Sequence, residues 1–196
     1  AMTGVDATPR VLERGRERSA ALGLADRVAF LEADATRVPL PDGRADFVWG
    51  EDAWCYVADK RRLIAEAARL GKPGGTVAFT DWVEGPAGLA PEEAGRFLRF
   101  MKFPSLQDFA GYRGLLEGAG CRVTQAVDTG RFAPYVDLYL EMLDKQLAFD
   151  ALALLGFDQG LMEAIGAEMR FLGDLARAGK VAQGLFVARR DKGGAR

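Results

Sequence analysis

Short apolar runs alternate with longer amphipathic stretches along the first half of the chain, and the alternation predicts strand, helix, strand, helix. Residues 2–5 read as a strand ending at Asp6. Thr8 followed by Pro9 is a helix start, because proline lacks an N–H and its fixed φ suits the first helical position. That helix runs to about Leu22, and Gly23 stops it. Residues 27–31 form a second strand, with Glu32-Ala33-Asp34-Ala35 behind its carboxyl end. The turn Pro39-Leu40-Pro41-Asp42-Gly43 leads into Phe47-Val48-Trp49, the pattern of a strand buried on both faces, and Gly50 ends it. From Asp59 to Leu70 the residues Leu63, Ile64, Ala67 and Leu70 share one side of a helix. Gly71, Pro73, Gly74 and Gly75 break it, and residues 76–80 form the next strand, ending at Asp81-Trp82.

The second half is looser. Residues 85–91 are a loop, and 92–103 a helix rich in Phe97, Leu98, Phe100, Met101 and Phe103. Ser105 and Asp108 make a capping box for a helix to about Ala119, with Gly120 behind it. Residues 121–127 are a strand, 133–155 and 158–178 two long amphipathic helices, 181–188 a last strand, and 191–196 a polar tail. This order predicts an α/β fold with a mostly parallel, doubly wound sheet in one domain over residues 1–196. Its core comprises 2–82, 105–128 and 180–190, with helical lid insertions at 86–104 and 131–179.

Composition narrows the function. A chain of 196 residues suits one domain with a sizeable core. A net charge of −2 leaves no basic footprint, so nucleic acid is not expected as a partner. No apolar run approaches the ~20 residues that cross a bilayer, so no membrane is expected either. Cys55 and Cys121 are the two cysteines and lack metal-ligand spacing, which predicts reduced thiols, a cytoplasmic location and no metal. Histidine is absent, which excludes a Ser-His-Asp triad and a histidine base.

Ligands in open α/β sheets bind where strands end and helices begin. Glu51, Asp52, Trp54 and Tyr56 stand at such a place, directly after the Phe47 strand. Singly, Asp52 reads as a turn cap and the two aromatics as core; together, at this point, they mark the expected chemistry.

Several residues in one order carry a resemblance. They are Gly4-Val5-Asp6, Thr8-Pro9, Val28-x-Phe30-x-x-Ala33-Asp34-Ala35, Val38-Pro39-Leu40-x-Asp42, Asp46-Phe47-Val48 and Leu70-x-Lys72-Pro73-Gly74-Gly75. Over about residues 2–82 the chain resembles a class I S-adenosylmethionine-dependent methyltransferase, and the resemblance implies a Rossmann-like sheet. It places Asp6 and Ala7 at the cofactor ribose, Asp34 and Ala35 at the adenine, and Gly50 and Glu51 at the methionine end. A carboxylate suits the ribose because it accepts two hydrogen bonds at once. Within the family, Gly50 to Tyr56 and Thr80-Asp81-Trp82 are most similar to small-amine N-methyltransferases such as phosphoethanolamine and sarcosine/dimethylglycine methyltransferases. That implies Asp52 as the residue holding the substrate amine. Tyr56 stands where those enzymes usually have histidine, so an orienting or proton-accepting role falls to Tyr56, Asp52 or water. Trp54, Tyr56 or Trp82 is expected to face the cationic methyl or product. Arg99, with Lys102, is expected to meet a substrate carboxylate or phosphate.

One part of the pattern is missing. The family's first strand and glycine-rich loop would precede Met2, where this chain has Ala1 alone. A GTG valine codon misread as a start gives methionine, so the resemblance implies an N-terminally truncated chain begun inside a longer gene. The absent strand belongs at the centre of the sheet, between those ending at Asp6 and Gly50. The expectation is therefore a chain without bound S-adenosylmethionine and a homodimer covering the gap, whose extended form methylates a small molecule at an amine. Methylation of a hydroxyl or carbon of a natural product, and a non-catalytic dimerising fragment, are the alternatives.

Overall fold

The computed structural model describes residues 1–145 and 158–192. The expected helix beyond residue 145 and the tail over 193–196 lie outside the described residues. Two parallel strands, β1 (Met2–Asp6) and β2 (Val28–Glu32), flank helix α1 (Pro9–Ala21) in the sequence. Pro9 opens α1 as expected. Phe30 holds this unit together: a Cβ at Gly15 would fall 2.5 Å from its ring, so the helix packs close only because Gly15 has none.

Strand β3 (Ala45–Glu51) pairs in parallel with β4 (Gly71–Glu84), and helix α2 (Lys60–Leu70) connects them. Helix α3 (Pro91–Met101), the two-residue β5 (Gln107–Asp108), helix α4 (Phe109–Gly118) and β6 (Cys121–Asp128) follow. Helices α5 (Phe132–Lys145) and α6 (Gln159–Arg177) precede β7 (Val181–Arg190). The second sheet runs β3-β4-β7-β6, with β5 on the end of β4. The parallel expectation holds for β1/β2 and β3/β4, whereas β7 is antiparallel to both neighbours.

Three local expectations need correction. Strand β3 is not buried on both faces: Phe47 and Trp49 are 54% and 50% exposed. They stack on each other on one face, and β3 has no pairing partner beyond β4 among the described residues. Strand β4 starts at Gly71, since a register shift between Ala45 and Phe47 accommodates the Pro73-Gly74-Gly75 stretch, with Gly74 at φ +77°. Ser105 does not cap α4; Asp108 alone does, accepting from the Gly111 N–H at 2.6 Å.

The β1/β2 unit forms its own two-stranded sheet, and among the described residues no strand links it to β3. A charged clasp ties the segment behind it to α2. Arg69 donates to the carbonyls of Leu40 (2.8 Å) and Val38 (3.0 Å) and to Asp42 (2.6 Å). Glu66 accepts from Arg69 and from the Val38 N–H, and the guanidinium holds its carboxyl below the usual range.

The core has two centres. Under the sheet, Phe79 stacks on Trp54 (4.2 Å) and Phe186 (4.8 Å), enclosed by Leu63 and Ile64 of α2 and Tyr112 and Leu116 of α4. Beyond the strand ends, Phe97, Phe103, Phe132, Val136 and Leu172 bring α3, α5 and α6 into a second cluster around Cys55. The expected lid helices thus have a core of their own.

A buried polar group joins the two centres at the turn after β3. Asp81, with no exposed surface, accepts from the Cys55 N–H (2.9 Å) and from the Tyr112 hydroxyl. Lys60, also buried, donates to the Cys55 carbonyl at 3.0 Å and to that of Val57. The Cys55 thiol reaches the Asp52 carbonyl at 3.4 Å. Burial raises the pKa of Asp81, Tyr112 and Cys55 and lowers that of Lys60, because each charged form loses hydration.

Two predictions follow from this packing. A Cβ at Gly50 would sit 2.3 Å from the Trp54 indole nitrogen, so Gly50→Ala should cost about 1–3 kcal/mol in urea denaturation. A carboxyl whose folded pKa is raised contributes stability that is fully present below its unfolded pKa and lost as pH rises through the folded one. Asp81→Asn removes that loss, since the amide oxygen still accepts from Cys55 and its NH2 can donate to Tyr112. Its stability relative to the parent should therefore rise with pH across the acidic range when urea midpoints are compared from about pH 4 to pH 8; a pH-independent difference would refute the raised pKa of Asp81.

Candidate active site

The turn after β3 places Asp52 under constraint. Its φ is +46°, in the left-handed region that non-glycine residues rarely adopt. Backbone bonds hold it there: the Asp52 N–H donates to the Thr80 carbonyl at 2.9 Å, and its own carbonyl accepts from the Cys55 thiol. The carboxylate is oriented too. Oδ2 accepts from Gln183 Nε2 of β7 at 2.6 Å, whereas Oδ1 is buried with no protein donor. A buried acceptor without a donor costs about 1–3 kcal/mol, which a donor from a ligand would offset.

Asp52 lines a cavity of about 380 Å³ between the strand ends and helices α5 and α6. Glu51 and Gln183 stand beside it, and Trp82 of β4 forms part of the wall, its ring edge-on to Phe132 at 4.3 Å. Helix α5 supplies Phe132, Tyr135, Val136 and Tyr139; α6 supplies Met169 and Leu172. Arg131, just before α5, is the cation in this lining.

Of the residues singled out from sequence, Glu51, Asp52 and Trp82 meet here. Trp54 does not: it is 8% exposed and packed under Gly50 against Phe79, because the turn folds it back into the core. Tyr56 is exposed, with its ring edge-on to Phe103 at 5.0 Å, and is not part of this lining. Arg99 lies exposed on α3, also outside the lining, and the guanidinium at the cavity is that of Arg131. Arg131, Gln183 and the α5 aromatics escaped the sequence reading, which searched strand ends. The available signal was the stripe Phe132, Tyr135, Val136, Tyr139 at i, i+3, i+4 and i+7, whose two tyrosines suit a wet cavity better than a dry core.

The cofactor candidates cluster separately, at the carboxyl ends of β1 and β2. The Ala33 N–H donates to the Asp6 carbonyl at 3.1 Å, which sets the two ends side by side. Asp6 accepts from the Thr8 N–H and Asp34 from the Thr36 N–H, both at 2.8 Å. The Thr36 amide holds the Asp34 carboxyl below its ordinary pKa. Asp34 and Ala7 are exposed, and Asp6 and Ala35 partly so. Two accessible carboxylates at adjacent parallel strand ends fit the hydroxyl and amine donors of a nucleoside. Asp6 and Asp34 would hold the ribose and adenine of S-adenosylmethionine, with Gly50 and Glu51 toward its methionine end.

Residues 1–79 match the model of a methyltransferase domain. A 79-residue stretch is 37% identical to a probable chloroplastic tocopherol O-methyltransferase of Oryza sativa subsp. japonica, covering 40% of this chain and 22% of that protein. A 69-residue stretch is 38% identical to dimethylglycine N-methyltransferase of Parasynechococcus marenigrum, covering 35% of this chain and 25% of that protein. The chain thus spans about a quarter of the length of these curated relatives. The fold superposes, with a TM-score of 0.85 and 21% identity, on a Galdieria sulphuraria protein described as a sarcosine dimethylglycine methyltransferase, covering 97% of this chain and 69% of that one. Residues 1–79 thus resemble a methyltransferase domain, and the described residues have a methyltransferase-like Rossmann fold.

Proposed function

We propose that the protein transfers a methyl group from S-adenosylmethionine to an amine nitrogen of a small molecule. The observation that carries this reading is Asp52 Oδ1, a buried acceptor without a donor at an aromatic-walled cavity. The cofactor supplies an electrophilic methyl on a sulfonium, whose departure as a thioether needs no acid. The protein's tasks are then alignment, desolvation and removal of one proton. Asp52 accepts an amine N–H and turns the nitrogen lone pair away from itself. Gln183 and the clamped backbone keep that carboxylate from swinging. As the N–C bond forms, the nitrogen becomes cationic; the carboxylate and the face of Trp82 suit that charge. The surplus N–H proton leaves through Asp52 or water.

A hydroxyl acceptor is the second reading, favoured by the O-methyltransferase likeness, since Oδ1 takes an O–H as readily as an N–H. The same proposal includes self-association and weak cofactor affinity in this chain. Strands β1 and β3 each present one unpaired edge among the described residues, and Phe47, Trp49 and Met2 stand exposed there. Unpaired edges invite pairing with another strand, from a second copy or from further chain.

Three outcomes test this reading. By calorimetry, Asp6→Ala and Asp34→Ala should each weaken S-adenosylmethionine binding about tenfold; unchanged affinity in both would remove the cofactor assignment. Asp52→Asn should lower methyl transfer about a hundredfold at unchanged cofactor affinity. The reason is geometric: the Gln183 donor draws the new amide oxygen to itself and turns the NH2 toward the cavity, replacing an acceptor with a donor. Sedimentation should show a concentration-dependent dimer; a monomer that binds the cofactor tightly would contradict the edge argument.

A further inference from the structure

Resting on the amine reading above, we propose that the acceptor nitrogen is carried on an apolar body, as in an arylalkylamine or a medium-chain alkylamine, rather than in a compact amino acid or ethanolamine. Volume is the first argument. The cavity holds about 380 Å³, within the range of pockets that enclose drug-sized ligands, roughly 300–1,000 Å³. A compact amine such as sarcosine displaces only on the order of 100 Å³, or three to four waters at ~30 Å³ each. It would leave most of the site wet.

The distribution of polarity is the second argument. Glu51, Asp52 and Gln183 gather at the strand ends, and the wall opposite is Phe132, Tyr135 and Tyr139 on one face of α5, completed by Met169 of α6. Apart from Arg131 just before α5, the strand ends supply the polar groups and the helices the apolar ones, the complement of an amine with a hydrophobic body. Exposure is the third. Tyr135 and Tyr139 are 59% and 44% exposed although they border the cavity. An apolar ligand body against them removes that surface from water, and each methylene it buries is worth about fourfold in affinity. A compact amino acid would satisfy Asp52 and Arg131 and leave the aromatic wall bare.

The test is a binding titration of the 196-residue chain followed by tryptophan fluorescence, since Trp82 borders the cavity. The probes are 2-phenylethylamine, hexylamine, sarcosine and ethanolamine, with 2-phenylethanol as the uncharged counterpart. The first two should bind at least about tenfold more tightly than sarcosine and ethanolamine. Tyr139→Ala, at an exposed position that the fold does not need, should weaken 2-phenylethylamine about tenfold and leave sarcosine unchanged. Sarcosine or ethanolamine binding as tightly as 2-phenylethylamine overturns the proposal, and so does the absence of binding by every amine. Tight 2-phenylethylamine binding without methyl transfer supports the apolar body and removes the methyl-transfer reading. If 2-phenylethanol binds equally well and is the one methylated, the body stands and the amine falls.

Discussion

The conformation of the turn after β3 depends on a carboxylate that never meets solvent. Asp81 sits at the carboxyl end of the sheet's central strand, and a buried carboxylate must find donors or stay uncharged. It finds them in Tyr112 of α4 and in the backbone of Cys55, drawing a helix from one core and a turn from the other to one point. Lys60 closes the same turn from the far side through the carbonyls of Cys55 and Val57. Apolar residues of equal volume would fill this space at less cost in hydration. What they would not do is hold the backbone polar groups of residue 55, and with them the left-handed conformation of Asp52. The unfavourable φ at Asp52 and the buried cluster beneath it are one arrangement.

The division of the core into two clusters then explains how the cavity arises. The sheet core ends at Trp54, Phe79 and Phe186, and the lid helices pack on Phe97, Phe103 and Leu172 beyond it. Neither cluster fills the space between the strand ends and α5. That leaves Asp52, Gln183 and Trp82 facing a wall from a different part of the chain. The site therefore joins one polar floor, made by strands, to one apolar wall, made by helices. An amphiphilic ligand is the natural complement of such a place.

Much of the fold was legible because each element carries its own signals. Pro9 after Thr8, the Leu63–Ile64–Ala67 face and the glycines around Pro73 mark element type and order through local chemistry alone. Asp52, Glu51 and Trp82 were legible because a strand end is a sequence-local feature. Trp54, Tyr56 and Arg99 were misplaced because side-chain direction around a tight turn or a lid helix is set by tertiary packing: the turn sends Trp54 inward under Gly50 and leaves Tyr56 outside. Gln183 and Arg131 were illegible for the converse reason. They reach the site from β7 and from the start of α5, over 75 residues of intervening chain that carry no local mark of that meeting. The exposure of Phe47 and Trp49 was also hidden, since an apolar run shows what a strand wants to bury and not whether a neighbour is there.

The proposed methyl transfer does not call for a histidine, because of what a sulfonium methyl donor demands. The leaving group is a neutral thioether and departs without a proton, so no acid is needed at that end. The nucleophile must lose one proton, and a carboxylate near water suffices where the proton comes off after the N–C bond has formed and the nitrogen is acidic. What remains is to hold a nitrogen in line and keep water from the developing charge. A carboxylate with one oxygen tied to Gln183 and the other buried without a donor, beside a cavity lined by Trp82, Phe132 and Tyr135, suits that demand through orientation rather than as a tuned base. In such a site the groups that position Asp52 matter as much as Asp52 itself: Gln183 at the cavity, and the buried cluster around Asp81 that holds the turn.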